Sequence, residues 1–258
     1  MNRGGRVDTG AKKASPKLAV KVSVSKIAPG QVKASAKPRA SAKPLAHARI
    51  AAILDVLAKT YPGVVCALHH CSAWELTVAT ILSAQSTDAR VNLVTPALFA
   101  SYPTPKALMA ASLPELEEIV RSTGFFRSKS KSIQGAARVV VEEFSGTVPQ
   151  TMDEMLRLPG VARKTANVVL GSWYGIAVGV VVDTHVLRLS RRLQLTTNDD
   201  PVSVEQDLMK IVPQDRWINF AHELIHHGRQ VCVARSPRCA DCTLETLCNS
   251  ADKTWSSH

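Results

Sequence analysis

Residues 158–167 read Leu-Pro-Gly-Val-Ala-Arg-Lys-Thr-Ala-Asn and predict two helices joined by a very short hairpin. Pro159 disfavours the helical conformation in the residue before it, so the first helix is expected to end at Leu158. Gly160 tolerates the left-handed backbone that a tight turn needs. The second helix begins almost at once, and its unpaired N–H groups suit an anion such as a DNA phosphate. An ordinary tight connection between helices is the alternative.

The rest of the folded part also has helical patterning. From His47 onward, apolar residues recur at spacings of three and four, with Pro and Gly between the segments. Ser72 and Glu75 have the spacing of a capping box that opens a helix reaching Leu82. Further helices are predicted over residues 88–101, 104–110, 112–121, 128–144, 151–157, 162–173, 184–193, 203–211 and 216–228. The predicted fold class is therefore all-α.

Lys164 and Asp183 are the candidate chemical groups. Lys164 falls in the first turn of the second hairpin helix, where the helix terminus and partial burial among apolar neighbours disfavour its charged form. An uncharged amine can act as a nucleophile, whereas a solvated lysine that contacts phosphate is the alternative. Asp183 follows the apolar run 178–182 and is a favoured N-cap for the helix 184–193. The same carboxylate could accept a proton or stabilise positive charge on a sugar ring.

Four cysteines lie within seventeen residues in the spacing C-x6-C-x2-C-x5-C: Cys232, Cys239, Cys242 and Cys248. The chain shows no secretory start, so a disulfide framework is not expected. Zinc ribbons repeat the tight C-x2-C pair, which occurs here only once. The mixed spacing favours a cubane iron–sulfur cluster, whose irons are spread more widely than one zinc ion, with zinc as the alternative.

Basic charge is concentrated at the start of the chain. Residues 1–47 hold eleven of the 32 Lys and Arg residues but only one acid, whereas the remainder is nearly neutral. Residues 1–45 lack aromatic residues and repeat the motif Ala-Ser-Ala-Lys-Pro, so we expect a disordered basic tail. A salt-dependent DNA-binding arm, an inert leader and a targeting peptide are its three interpretations. No apolar stretch is long enough to span a bilayer, and no membrane association is expected.

With these motifs, the sequence resembles the endonuclease III family, the iron–sulfur branch of the helix–hairpin–helix DNA glycosylases. The resemblance covers roughly residues 46–250 and rests on LPGVARKTANVVL at 158–170, VDTHV at 182–186, SAQSTD at 83–88, HGR at 227–229 and the cysteine spacing. It implies two helical domains with a DNA-binding cleft between them. A six-helix domain with the hairpin would span residues 66–177, and an iron–sulfur cluster domain would combine residues 46–65 and 178–258.

The family's activity implies a bifunctional enzyme that excises oxidised pyrimidines and then cuts the abasic site. By motif match, Lys164 would form the Schiff base, Asp183 would be the catalytic aspartate, and the four cysteines would hold a 4Fe–4S cluster. Gln85 would fill the gap that a flipped nucleotide leaves, and Phe125 would act as a wedge between the opposite bases. The other implied DNA contacts are the hairpin residues Gly160, Val161 and Ala162 and the basic residues Arg229, Arg235 and Arg238.

Two local features qualify the implied DNA contacts. The family usually has glycine where this chain has Ala162, so the phosphate contact there is expected to be looser by about 0.5–1 kcal/mol. Four basic residues around the wedge loop are expected to contact phosphate: Arg121, Arg127, Lys129 and Lys131.

The pairs His69-His70 and His226-His227 lack a supporting third metal ligand and are expected to be structural.

Damaged double-stranded DNA is the implied partner of a protein expected to be a monomer in a bacterial cytoplasm, at the nucleoid. A targeting role of the tail would place it in an organelle. Two alternative functions remain. An adenine-type glycosylase of this fold shares the cluster but lacks the lysine and adds a C-terminal domain. A DNA-binding module without lyase activity would use the hairpin only for grip.

Overall fold

A computed structural model of the protein describes Met1 and residues 47–255. The predicted basic tail, residues 1–45, lies outside the described residues apart from Met1. The described residues contain no β-strand, and none of their helices is long and apolar enough to cross a bilayer. The helices are α1 (His47–Thr60), α2 (Ala73–Leu82), α3 (Asp88–Ser101), α4 (Pro105–Met109), α5 (Leu113–Val120), α6 (Phe126–Glu143), α7 (Met152–Met155), α8 (Arg163–Ser172), α9 (Thr184–Arg192), α10 (Pro201–Ile211) and α11 (Trp217–Gln230). The predicted all-α class is confirmed.

Capping side chains explain where several helices begin. At α2, Ser72 Oγ accepts a hydrogen bond from the backbone N–H of Glu75 at 3.1 Å. Glu75 in turn accepts the N–H of Cys71 at 2.7 Å, so the predicted capping box reaches one residue further back than usual. Hydroxyl or carboxylate side chains cap five other helices in the same way: Thr87, Thr104, Thr151, Asp183 and Asp200. These short polar residues supply acceptors that the first turn of a helix lacks.

The helices form two packed sets. Helices α2 to α8 are connected by mutual contacts, with α6 against α2, α4 and α5, and α8 against α2 and α7. Helices α1, α9 and α10 belong to the other set, in which α11 packs against both α1 and α9. The domain boundaries predicted at residues 66–177 and 46–65 plus 178–258 follow this grouping and stay a prediction.

Helix α2 is the central helix of the first set, because all its residues except Glu75 are buried. It packs beside α8, in which residues 166–171 are buried. The chain leaves the C-terminus of α2 into the loop 83–87, and α8 begins with Arg163 and Lys164. This packing places the 83–87 loop on the same side of the molecule as Lys164.

The predicted hairpin is present between α7 and α8. Gly160 has a φ of +81°, the left-handed conformation that its sequence position predicts. A methyl group on Gly160 would lie 2.7 Å from Cβ of Ser132, so the hairpin packs directly on α6. Ala162 precedes α8 with φ −99° and ψ 171°, a conformation open to any residue, and alanine therefore fits the hairpin without strain.

Candidate active site

Lys164 and Asp183 line a common cleft. The cleft has a volume of about 740 Å³ and is bordered by residues of the 83–87 loop, the start of α3, Lys164, residues 183–185 and Arg229. A smaller inner pocket of about 80 Å³ shares both Lys164 and Asp183 with the cleft. The structure therefore brings together two side chains that lie nineteen positions apart in the sequence.

Lys164 is held in place through its neighbour Arg163. The Arg163 guanidinium forms an ion pair with Glu205 of α10 at 2.8 Å, and Glu205 is buried. Asn167, one turn further along α8, donates another hydrogen bond to the same carboxylate at 2.8 Å. These contacts orient the first turn of α8, so Lys164 lies at the cleft. Lys164 is itself exposed, and its expected partial burial is wrong: its apolar neighbours Val161 and Val168 are buried, but they do not cover it.

Asp183 is the N-cap of α9, as the sequence predicts. It caps α9, because Oδ1 accepts the backbone N–H groups of His185 and Val186 at 2.8 Å each. The residues before it, Val180 to Val182, are buried. Within the described part of the chain, Oδ2 takes part in no hydrogen bond. One carboxylate oxygen therefore positions the side chain, and the other is available to a ligand in the cleft.

Gln85 and Phe125 both have a left-handed backbone, with φ values of 54° and 47°. This conformation costs a residue other than glycine about 1–2 kcal/mol and is found preferentially at functional sites. Both residues are exposed, and 66% of the Phe125 surface is accessible. They line one depression together with Gly160 of the hairpin. Gln85, Phe125 and Gly160 thus share one surface. Of the other two hairpin residues, Val161 is buried and Ala162 is exposed, and neither lines this depression.

The predicted basic DNA contacts occupy different places. Arg229 reaches the cleft, where it forms an ion pair with Asp88 at 2.5 Å. Arg235 is exposed, and Arg238 donates to the carbonyl of Gln230 beside the cysteines, so neither lines the cleft. The expected phosphate contact of Lys129 is wrong. This residue is buried, and its ammonium donates to the carbonyl of Thr123 at 2.6 Å.

All four clustered cysteines line one cavity. Nitrogen atoms lie close to three of the sulfurs: Arg192 donates to Cys232 at 3.3 Å, the backbone of Thr254 donates to Cys239 at 3.4 Å, and Nε2 of His227 lies 3.3 Å from Cys242. Burial, and then the nearby thiolates, raise the pKa of Cys242 to about 11. Positively charged iron would relieve this repulsion, so the donor set fits a metal cluster. Among the residues that the structure describes, no three potential ligands converge on a single-ion site.

The comparisons with known proteins identify the family. A family model, the HhH-GPD superfamily base excision DNA repair protein, matches residues 78–214. The endonuclease III of Synechocystis sp. is 58% identical over 203 residues, which are 79% of this chain and 93% of that protein. The chain belongs to the endonuclease III family. The endonuclease III of Bacillus subtilis is 43% identical over 206 residues, 80% of this chain and 94% of that protein.

A solved structure of the endonuclease III family has the same fold. It is a trapped covalent intermediate of endonuclease III with DNA, in an estranged-adenine complex, and is 43% identical to this chain. The superposition has a TM-score of 0.76 and covers 80% of this chain and 96% of that one.

Sequence reasoning missed part of the inner pocket of this endonuclease III family member. One face of α11 contributes residues at the helical spacings three, four and seven: His222, Ile225, His226 and Arg229. The prediction that His226 and His227 are structural stays a prediction, and the two side chains have different surroundings. His227 is buried against Tyr61, whose hydroxyl lies 2.9 Å from Nδ1, but His226 lines the pocket. The i, i+4 spacing of His222 and His226 was the available signal.

Proposed function

We propose that this endonuclease III family protein is a bifunctional DNA glycosylase and abasic-site lyase that excises oxidised pyrimidines from duplex DNA. The observation that carries the proposal is the meeting of Lys164 and Asp183 at one cleft. A trapped covalent intermediate between a relative of the same fold and DNA supports a route through a protein nucleophile. The protein would act as a monomer on DNA in a bacterial cytoplasm.

The reaction begins when the damaged nucleotide leaves the duplex and its sugar enters the cleft. The Lys164 amine, in its uncharged form, attacks C1′ of the deoxyribose. The new C–N bond forms as the glycosidic bond breaks, and the base departs with the bonding electron pair and a proton. Asp183, through Oδ2, accepts a proton from the amine or stabilises the positive charge that develops on the sugar.

The covalent intermediate then cuts the strand. The sugar ring opens, and the nitrogen bound to C1′ becomes a positively charged imine. This charge acidifies the proton on C2′. Loss of that proton forms the C2′–C3′ double bond, and the 3′ phosphate leaves with the electron pair of the C3′–O bond. Water then releases Lys164 from the sugar, and a free amine is restored.

The strained surface of Gln85 and Phe125 supports the DNA-distorting part of the proposal. Gln85 would occupy the gap in the duplex, and the exposed Phe125 ring would separate the opposite bases. The first turn of α8 has no side-chain cap at Ala162, so its N–H groups are available to a phosphate at the hairpin. Arg229, which pairs with Asp88 at the cleft, would add a contact with the DNA backbone.

The four cysteines would hold a 4Fe–4S cluster. The cluster, when bound, supplies four iron–thiolate bonds that tie together the loop 232–248. Four iron atoms per protein and a broad visible absorbance are expected for the isolated protein. Cys239→Ser should lower both, whereas Cys71→Ser, which changes an exposed cysteine outside the cavity, should leave both unchanged. One tightly bound zinc per protein would contradict the cluster.

The experiment that tests the proposed function measures base release from a set of duplexes. Thymine glycol and 5-hydroxycytosine should be released. Strand cleavage should leave an unsaturated aldehyde at the 3′ end of the fragment that lies 5′ to the lesion. Undamaged duplex is the control and should remain intact. Release of adenine opposite 8-oxoguanine without strand cleavage would instead support the adenine-type alternative, and binding without release of any base would support a non-catalytic module.

A further inference from the structure

Lys129 is a buried lysine that the proposed chemistry does not use. It lies in the first turns of α6 and is 5% exposed. Its ammonium donates one hydrogen bond, to the carbonyl of Thr123 at 2.6 Å. Burial lowers the pKa of this side chain. Lysine is rarely buried unless it is paired, because desolvation of the charge is costly. The burial of Lys129 therefore needs an explanation in the residues that it contacts.

The segment that Lys129 contacts is the one that carries Phe125. Thr123 ends a 3₁₀ turn that spans Arg121–Thr123, and its hydroxyl donates to the carbonyl of Val120 at 2.8 Å. Gly124 and Phe125 follow with φ values of 72° and 47°, so two successive residues have positive φ before α6 begins.

No side chain caps α6 at Phe125. The N–H of Gly124 donates to the carbonyl of Arg121 at 3.3 Å, and Lys129 supplies two further attachments of the strained turn. Its backbone N–H donates to the carbonyl of Phe125 at 3.0 Å, and its side chain donates to Thr123. The two bonds hold both ends of the segment 123–125. A hydrogen bond from a charged donor is stronger than a neutral one, which suits a contact that must oppose backbone strain.

We propose that Lys129 is a positioning residue that holds residues 123–125 in their strained conformation and so presents the Phe125 ring to DNA. The inference rests on the wedge role of Phe125 under the proposed function. Without the ammonium contact, the turn relaxes towards an ordinary backbone, and the ring loses its fixed, exposed position. Strand separation in duplex DNA then becomes slower, while the chemistry at Lys164 is unchanged.

The test compares two substrates that share the chemistry but differ in the need for a wedge. An abasic site in duplex DNA must be extruded, whereas the same site in single-stranded DNA has no opposite strand to separate. Lys129→Met keeps the length of the side chain but removes its charge and donors. We expect the single-turnover rate of strand cleavage to fall roughly tenfold on the duplex, the scale of one lost hydrogen bond to a charged group. The single-stranded rate should stay within about twofold, because no wedge contact is involved.

Matched variants define the control. Arg138→Met removes a positive charge from an exposed position on the same helix and should change both rates equally little. Phe125→Ala should lose duplex cleavage selectively. The double variant Lys129→Met/Phe125→Ala should be no slower than Phe125→Ala, because Lys129 acts through the ring. All rates are divided by the fraction of protein that borohydride traps on single-stranded abasic DNA, which removes differences in the amount of folded protein.

Each outcome decides a separate point. A normal duplex rate for Phe125→Ala would overturn the wedge role and with it the proposed function of that residue. A selective defect in Phe125→Ala together with a normal Lys129→Met would overturn only the role of Lys129. Equal losses on both substrates, or additive losses in the double variant, would also overturn it. If Lys129→Met yields no active protein, Lys129→Gln keeps a neutral donor and must show the same duplex-selective loss in smaller degree.

Discussion

Asp183 is predicted to have two separable roles, and two substitutions distinguish them. Its Oδ1 accepts the N–H groups of His185 and Val186 at 2.8 Å each, so it caps α9. Asp183→Ala removes both bonds and should lower the free energy of unfolding by about 1–2 kcal/mol, the usual cost of a lost N-cap. Asp183→Asn keeps an acceptor oxygen and loses only the interaction of the charge with the helix dipole, about 0.3–1 kcal/mol.

The effects on excision should not follow the effects on stability. Both substitutions remove the carboxylate at the cleft, so both should lower the single-turnover rate of base release by about 10²–10⁴-fold, the range for a lost general acid or base. Asp183→Asn is thus the informative variant, because it should be nearly as stable as the unchanged protein and almost inactive.

The assay combines thermal unfolding with base release from a thymine-glycol duplex. For a domain of this size, 1 kcal/mol corresponds to a Tm change of about 2–4 °C. Asp200→Ala is the matched control. It removes the cap of α10, where Asp200 accepts the N–H of Ser203 at 2.8 Å, but it does not line the cleft. It should lose stability and keep activity. Full activity in Asp183→Asn would refute the catalytic role, and equal stability losses in the two Asp183 variants would refute the capping argument.

Two further predictions concern stability. Gly160→Ala should lower the free energy of unfolding by about 2–4 kcal/mol, because it adds left-handed strain and a 2.7 Å contact with Ser132, whereas Gly63→Ala, with φ +68° and open space, should lose only about 1–2 kcal/mol. Denaturant titration that finds equal losses would contradict the packing of the hairpin on α6. Burial lowers the pKa of His222 to about 4, below the ordinary 6.5, so its protonation opposes folding. Between pH 8 and pH 5 the protein should therefore lose about 2 kcal/mol more stability than His222→Asn, and identical pH profiles would show that His222 is not desolvated.

Helix boundaries were predictable where local chemistry determines them. Helix α3 spans the predicted residues 88–101, because Thr87 caps its start and Pro103 follows its end. Helix α6 begins at Phe126, two residues before the predicted start. Phe125 before it has a left-handed backbone, which the sequence does not predict for a residue other than glycine. Helix α10 begins at Pro201, two residues before the predicted range 203–211, because proline is tolerated in the first turn of a helix.

The candidate site was predictable only in its local parts. Lys164 follows a hairpin motif and Asp183 follows a buried run, so each could be proposed from neighbouring residues. The inner pocket depends on tertiary packing. It includes His226, which lines the same pocket as Lys164 because α11 packs against α9. Lys129 resembled a phosphate contact by its charge and position, and only its burial reveals a different partner. The charge of a helical residue does not show whether its side chain points to solvent or into the protein.

Borohydride trapping on duplex DNA with an abasic site tests the role of the Lys164 amine most directly. Reduction of the imine should fix the protein to the DNA strand in a covalent adduct, which denaturing electrophoresis separates from free protein. Lys164→Ala should form no adduct, and Lys59→Ala, at an exposed position of α1 outside the cleft, should form the normal amount. An adduct of normal yield with Lys164→Ala would show that another amine is the nucleophile and would contradict the assignment.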